Sequence, residues 1–309
     1  MKYAINRRTF LRLSATTLSA APFLSFNTII AEKPLLQFGM MTDSHFADCP
    51  SRGIRFFHES KEKMQECVDL MNKRKVDFMI HLGDLKDEGK PAVESETLQY
   101  LQEIERVYAQ FSGPRYHAIG NHDLDSISKK QFLDHIENTG ISKDKSYYSF
   151  DKQGFHFIVL DANYLKDGTD HGHRNFHWED TQLSTEEWQW LQRDLLNNTL
   201  PTIVFLHHTL HDVGEKGKKY HVTDSHKIRK LLEESGNVLA VFQGHYHQEK
   251  YQKINGIHYY VLKAMVDYSG KKNNSYAIVK LYKNGVLEIE GFRRAISKSL
   301  HFNLIKNEN

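Results

Sequence analysis

The chain has 309 residues, 39% of them hydrophobic and 26% charged, with 41 Lys and Arg against 39 Asp and Glu. The 18 Phe, 15 Tyr and 3 Trp exclude a disordered chain, and two cysteines are too few for a disulfide scaffold. A single charge-free run long enough to matter excludes a multi-span membrane protein, and the length suits one large domain with a full core.

Residues 1–31 read as an address. Asn6-Arg7-Arg8-Thr9-Phe10-Leu11-Arg12 precedes a charge-free run over residues 13–31. The pattern resembles a twin-arginine export signal. Small residues at Ala20, Ala21 and Ala31 are candidate cleavage points, and a retained anchor stays open. The resemblance implies passage through the twin-arginine translocase and a periplasmic or extracellular destination, with no stable membrane span after processing. Removal of Lys2, Arg7, Arg8 and Arg12, with no acid, turns a net charge of +2 into −2. The remaining chain, 32–309, has no basic stripe, so no nucleic-acid partner is expected. Cys49 and Cys67 either pair in an oxidising compartment or stay apart, Cys67 then filling a helix face.

Short apolar runs then alternate with helical stretches. Residues 35–42 read as a strand, 56–75 as a helix with Met64, Cys67 or Val68, and Met71 on one face, and 76–82 as a buried strand. An amphipathic helix over 93–111 leads to a strand over 115–119. Further strands are expected over 155–160, 202–206 and 238–242, with helices over 184–196, opened by a Ser184…Glu187 capping box, and over 225–235. Asn255-Gly256 and Asn284-Gly285 mark two hairpins. Metal-competent side chains recur just past the strand ends. They form Asp43-x-His45, Gly83-Asp84-x-x-Asp87, Gly120-Asn121-His122-Asp123, His207-His208 and Gly244-His245-x-His247. Loops at strand ends on a rigid sheet are where α/β proteins carry chemistry. The spacing of Asp43/His45 and of His245/His247 predicts side chains on one side of an extended segment. Gly83, Gly120 and Gly244 are expected to supply unusual backbone angles at sharp turns.

In order and internal spacing these five clusters resemble the calcineurin-like metallophosphoesterase superfamily, from about Phe38 to His247. The resemblance implies an α/β fold, a four-layer α/β/β/α sandwich. It implies a dinuclear, metal-dependent phosphoester hydrolase with two divalent ions (Mn, Fe, Zn or Co) and attack by metal-bound hydroxide. Asp43, His45, Asp84 and His247 would hold one ion. Asp84 would bridge to a second, completed by Asn121, His207 and His245. His122 would act as general acid or oxyanion stabiliser, with Asp123 orienting it and Asp87 standing behind the ligands. His208 is the alternative to its neighbour His207.

A long insert follows the strand over 155–160. Within it, His171 and His173 are candidates for substrate contact; His177 and His211 form a weaker tier. Trp188 and Trp190 read as helix packing. The stretch from Phe176-His177-Trp178 to Leu195 resembles the subgroup that cleaves ADP-ribose and CDP-alcohols. The expected substrate is a small phosphodiester or nucleotide-type diphosphate. The alternatives are a phosphomonoester, or a non-catalytic metal-binding scaffold, which predicts broken motifs where none is broken.

Overall fold

The computed structural model describes residues 33–214 and 219–302. The twin-arginine segment lies outside them. The compact unit starts at Pro34.

Strand β1 (Leu36–Met41) shows how the layers arise. Its alternation sends Phe38 and Met40 to one face and Met41 to the other. Helix α1 (Ser60–Arg74) lays Met64, Cys67, Val68 and Met71 against the second face, a stripe at helical spacing. A Cβ on Gly39 would sit 2.7 Å from the Met71 sulfur, so glycine lets helix and strand approach. Then follow β2 (Phe78–His81), α2 (Glu94–Tyr108), β3 (Arg115–His117) and α3 (Lys129–His135). Next come β4 (Tyr148–Lys152), β5 (Phe155–Val159), α4 (Thr185–Asn197), β6 (Thr202–Phe205), α5 (Ser225–Ser235) and β7 (Val238–Gln243). The last described strands are β8 (Lys250–Ile254), β9 (Ile257–Val261), β10 (Ser275–Leu281), β11 (Val286–Arg293) and β12 (Lys298–His301).

Two six-stranded sheets result, ordered β12-β11-β10-β1-β2-β3 and β4-β5-β6-β7-β9-β8. An apolar layer joins them. Phe38 stacks on Phe78 at 4.9 Å and meets Phe157, Phe205 and Phe242 edge-on, linking the two sheets through one ring. Truncating it to alanine would cost about 3–5 kcal/mol. Helices α1–α3 cover the outer face of the first sheet, and α4 and α5 that of the second. This is the expected four-layer sandwich.

Several details differ from the sequence reading. The first helix starts at Ser60, after a 3-10 turn at Phe57–Glu59. Helix α3 and strands β4 and β12 carry too short a periodic signal to stand out. Only half of the expected capping box forms. Ser184 Oγ accepts the Glu187 N–H, while the Glu187 carboxylate turns inward to accept the Asp161 N–H at 2.9 Å. Cys49 and Cys67 are buried and unpaired. Trp188 and Trp190 pack against the outer core of the second sheet, as helix packing requires.

The placement that matters is at one edge. Strands β1, β2 and β3 run parallel, as do β5, β6 and β7. Their carboxyl ends therefore share an edge within each sheet, and the stacked sheets bring the two sets of loops together.

Candidate metal centre

Each loop is held by the others. Asp43 and His45 donate their backbone N–H groups to the Gly83 and Asp84 carbonyls, at 3.0 and 2.9 Å. The Asp43 carboxylate accepts the backbone N–H of His245, from the other sheet, and the Thr42 hydroxyl at 2.6 Å. Asp84 Oδ1 accepts the His122 N–H at 2.8 Å. These bonds fix the carboxylates before any side chain meets an ion.

Asp43, His45, Asp84, His245 and His247 all have positive φ, between 44° and 67°. Such angles cost a non-glycine residue about 1–3 kcal/mol each, so the surrounding bonds must impose them. The expected extended geometry is thus corrected: left-handed residues at alternate positions, rather than a strand, aim Asp43/His45 and His245/His247 inward. The glycines divide likewise. Gly83 has φ +96, as a sharp turn demands. Gly120 and Gly244 are there for close approach: a Cβ would lie 2.2 Å from Asp84 Oδ1 and 2.1 Å from Thr42 Oγ1, respectively.

The side chains form two adjoining donor sets. Site one gathers Asp43, His45 and His247: His247 Nε2 lies 3.4 Å from Asp43 Oδ1 and 3.1 Å from His45 Nε2. Site two gathers Asp84, His207 and His245. Asp84 belongs to both, since its Oδ2 lies 3.4 Å from His45 Nε2 and 3.1 Å from His207 Nε2. Asn121, next to His122 in the chain, is buried with no hydrogen-bond partner for Oδ1 among the described residues, and the same holds for His245 Nε2. Buried acceptors without donors are costly in an apolar interior and natural around a cation. Mixed carboxylate, imidazole and amide donors suit Mn, Fe, Zn or Co, so the residues fit two divalent ions.

The electrostatics agree. Burial would raise the Asp43 and Asp84 pKa values, but neighbouring imidazoles, His247 for Asp43 and His207 for Asp84, hold both carboxylates below the usual range. Burial opposes charge on His207, yet Asp84 lifts its pKa to about 9. Burial is likewise outweighed at His45, raised chiefly by Asp84. The site demands positive charge, and binding a metal there would displace protons. His245 goes the other way: burial, then His208 and His207, push it well below the ordinary value, toward the neutral form a ligand needs.

The supporting residues differ in part from expectation. His45 Nδ1 faces Asp87 Oδ2 at 3.2 Å, so Asp87 sits on the side of the ring opposite Nε2. Asp123 is elsewhere: its carboxylate accepts the N–H groups of Asp84, Leu85 and Gly120 at 2.8–2.9 Å. It pins the second and third loops together and does not orient His122. The His122 ring instead points Nδ1 at Asp87 and Asp125, at 3.5 and 3.6 Å, and remains 31% exposed. Burial disfavours its charge, but Asp87 and Asp84 raise its pKa well above the ordinary value. Buried Lys86 holds Asp125 and the His122 carbonyl.

His207 rather than His208 turns toward the carboxylates. His208 is buried with both nitrogens unpartnered and is driven toward neutrality by burial. His171 is buried within the insert, stacked on Phe176 at 4.0 Å, while His173 is on the surface near Glu94; neither joins a donor set among the described residues. His211 bonds to Gln243 at 3.0 Å and His177 is exposed. Sequence reasoning missed Asp267, whose Oδ1 lies 3.1 Å from His247 Nδ1. It also missed Lys63, which donates to the carbonyls of Met265, Asp267 and Tyr268 and so holds that loop.

A manganese-dependent ADP-ribose/CDP-alcohol diphosphatase of Oryza sativa is 30% identical over 139 residues, covering 43% of this chain and 42% of the rice protein. The match thus spans less than half the length of that relative. A mouse protein named serine/threonine-protein phosphatase CPPED1 is 26% identical over 222 residues, covering 69% of this chain and 67% of its own. Among solved structures, a dimetal phosphatase from Danio rerio superposes with a TM-score of 0.75 at 17% identity, over 88% of this chain and all of that one, which shows a shared fold. The family model for calcineurin-like phosphoesterases matches residues 36–249, from the first strand of the sandwich past the last imidazole of the cluster, and the chain belongs to that family.

Proposed function

We propose that the protein hydrolyses small phosphodiesters or nucleotide-type diphosphates at a two-metal centre formed by Asp43, His45, Asp84, Asn121, His207, His245 and His247. The observation that carries this is the single Asp84 oxygen lying between the imidazoles of both donor sets. Two divalent ions bound there would supply an activated water and a sink for phosphoryl charge. The chain's own residues do the rest. Asp43 and Asp84 are fixed by backbone N–H groups and so keep the donor geometry without reorganisation. Asp87 and Asp125 hold the Nδ1 side of His122, leaving Nε2 as the proton donor toward a leaving oxygen. The diphosphatase name of the rice relative supports a substrate whose phosphorus carries two ester or anhydride oxygens. The mouse relative's name supports the second reading, a phosphomonoester.

The test is turnover of bis-p-nitrophenyl phosphate against p-nitrophenyl phosphate by the manganese-loaded chain, with metal content measured in parallel. Preference for the diester is expected. Preference for the monoester would favour the second reading, and bound metal without turnover of either would leave a binding scaffold.

Export is part of the proposal. Asn6-Arg7-Arg8-Thr9-Phe10-Leu11-Arg12 supports delivery through the twin-arginine translocase to the periplasm or exterior, with residues 1–31 as the signal. Arg7→Lys with Arg8→Lys should abolish export; an unchanged periplasmic yield would overturn it. No helix among the described residues is long and apolar enough to cross a membrane.

A further inference from the structure

Beside site two stands a group of rings that the sandwich does not use. Trp178 comes from the insert before α4, Tyr220 from the loop after β6, and Tyr246 from the loop after β7. All three are half-buried. None is packed against any of the three apolar cores, whereas Trp188 and Trp190 both are. Yet they converge. Trp178 and Tyr220 lie 5.3 Å apart, and Tyr220 and Tyr246 5.2 Å. They reach the metal centre through one ligand ring: His245 is 5.0 Å from Tyr220 and 5.9 Å from Trp178.

Cations frame the same rings. Lys219 Nζ lies 4.5 Å from the Trp178 ring centre and 5.7 Å from that of Tyr220, and Lys250 Nζ lies 5.9 Å from that of Tyr246. Half-exposed aromatic faces next to positive charge suit a ligand that is both planar and anionic. The loops that carry them anchor in the cores through other side chains, Leu210 and Val222 in the loop after β6 and Leu183 in the insert, so the three rings are not needed for that packing.

We propose that Trp178, Tyr220 and Tyr246 form a stacking subsite for a nucleobase carried by the phosphate that binds at the metal centre, so that the substrate class is nucleotide-derived. The subsite lies on the His245 side, away from His122. The phosphate is therefore gripped between a recognition end and a proton-donating end. The inference rests on the hydrolase reading for its substrate, but ring binding can be measured apart from turnover.

The experiment is calorimetric titration of the manganese-loaded full chain with AMP and with ribose 5-phosphate, which carries an anomeric hydroxyl where AMP carries the base. AMP is expected to bind about tenfold tighter, about 1.4 kcal/mol, within what one base–aromatic stack contributes. Trp178→Ala and Tyr220→Ala should bring the ratio toward one, and Trp178→Phe, which keeps a ring, should retain most of it. Equal affinities in the unmodified chain would overturn the proposal. So would a loss in Trp178→Phe as large as in Trp178→Ala, since the indole would then be serving as packing. If AMP is preferred and Trp178→Ala abolishes the preference while no phosphoester is hydrolysed, the subsite stands and the hydrolase reading alone fails.

Discussion

The two donor sets share Asp84 but are built differently. In site one both imidazoles are backed by carboxylates, His45 by Asp87 and His247 by Asp267. In site two His207 is backed by a neutral acceptor, the Leu82 carbonyl, at 2.8 Å. A carboxylate behind an imidazole raises its basicity and fixes its ring, whereas a carbonyl fixes the ring and adds little charge. Site one should therefore hold its ion more tightly, and site two should be the more exchangeable. The surroundings divide the same way. His122 packs edge-on to His45 at 4.7 Å, while the aromatic rim packs on His245. The proposed proton donor thus stands at one end of the centre and the proposed stacking subsite at the other.

The largest expected effect removes what the two sites share. Asp84→Asn deletes the charged oxygen that faces both His45 and His207. Metal analysis should find neither ion held stoichiometrically, and turnover should vanish. Retention of both ions would show that Asp84 does not join the sites. Next comes His122→Ala, which leaves every proposed ligand in place. Both ions should remain while turnover falls by about 10²–10⁴. Loss of metal in this variant would move His122 from proton donor to ligand.

Asp267→Asn sharpens the asymmetry directly. It keeps the shape behind His247 and removes the charge. Metal titration should show one site weakened by about 10–100-fold, with the other unchanged. Equal weakening of both would mean that the backing carboxylates do not distinguish them. Lys63→Met should give a smaller shift of the same kind, because Lys63 acts only by holding the carbonyls of the loop that carries Asp267.

Which parts were legible in the sequence follows from how each residue works. Asp43, His45, Asp84, Asn121, His207, His245 and His247 sit in short motifs at strand ends, and the parallel order of the strands brings the motifs to one edge. Asp267 carries no motif. It lies on the long return from β9 to β10, and only the crossing of that loop over His247 gives it a role. The family resemblance implies that Asp123 orients His122, but adjacent residues on the 3-10 turn at His122–Leu124 point in different directions, and the Asp123 carboxylate accepts from three backbone donors instead. Trp178, Tyr220 and Tyr246 come from three loops far apart in the chain, so no spacing rule links them. Glu187 shows the same limit on a smaller scale: the capping pattern was present, but the Asp161 N–H offered a buried partner and won.

The smallest effect tests what separates a metal site from an ordinary ion-paired histidine. His156 is the second residue of β5, near the amino end of its strand, where the metal-site loops do not reach. Its Nδ1 lies 2.6 Å from Asp151 and its Nε2 2.8 Å from Asp194, so both nitrogens are occupied and none is left for an ion. His45 and His247 each give one nitrogen to a carboxylate and aim the other inward. Burial opposes charge on His156, but the hydrogen bonds to Asp194 and Asp151 outweigh it and raise its pKa above 6.5. A raised folded-state pKa stabilises the fold below the unfolded value, and the gain is lost as pH climbs through the folded value. With Asp151 largely in water, the gain should be about 1 kcal/mol or less. His156→Gln should therefore lower the melting temperature slightly at pH 6 and scarcely at pH 9, with metal content unchanged at both. A loss of metal in this variant would mean that the arrangement of free nitrogens is not what marks the centre; a pH-independent loss of stability would mean that the ring packs there without its charge.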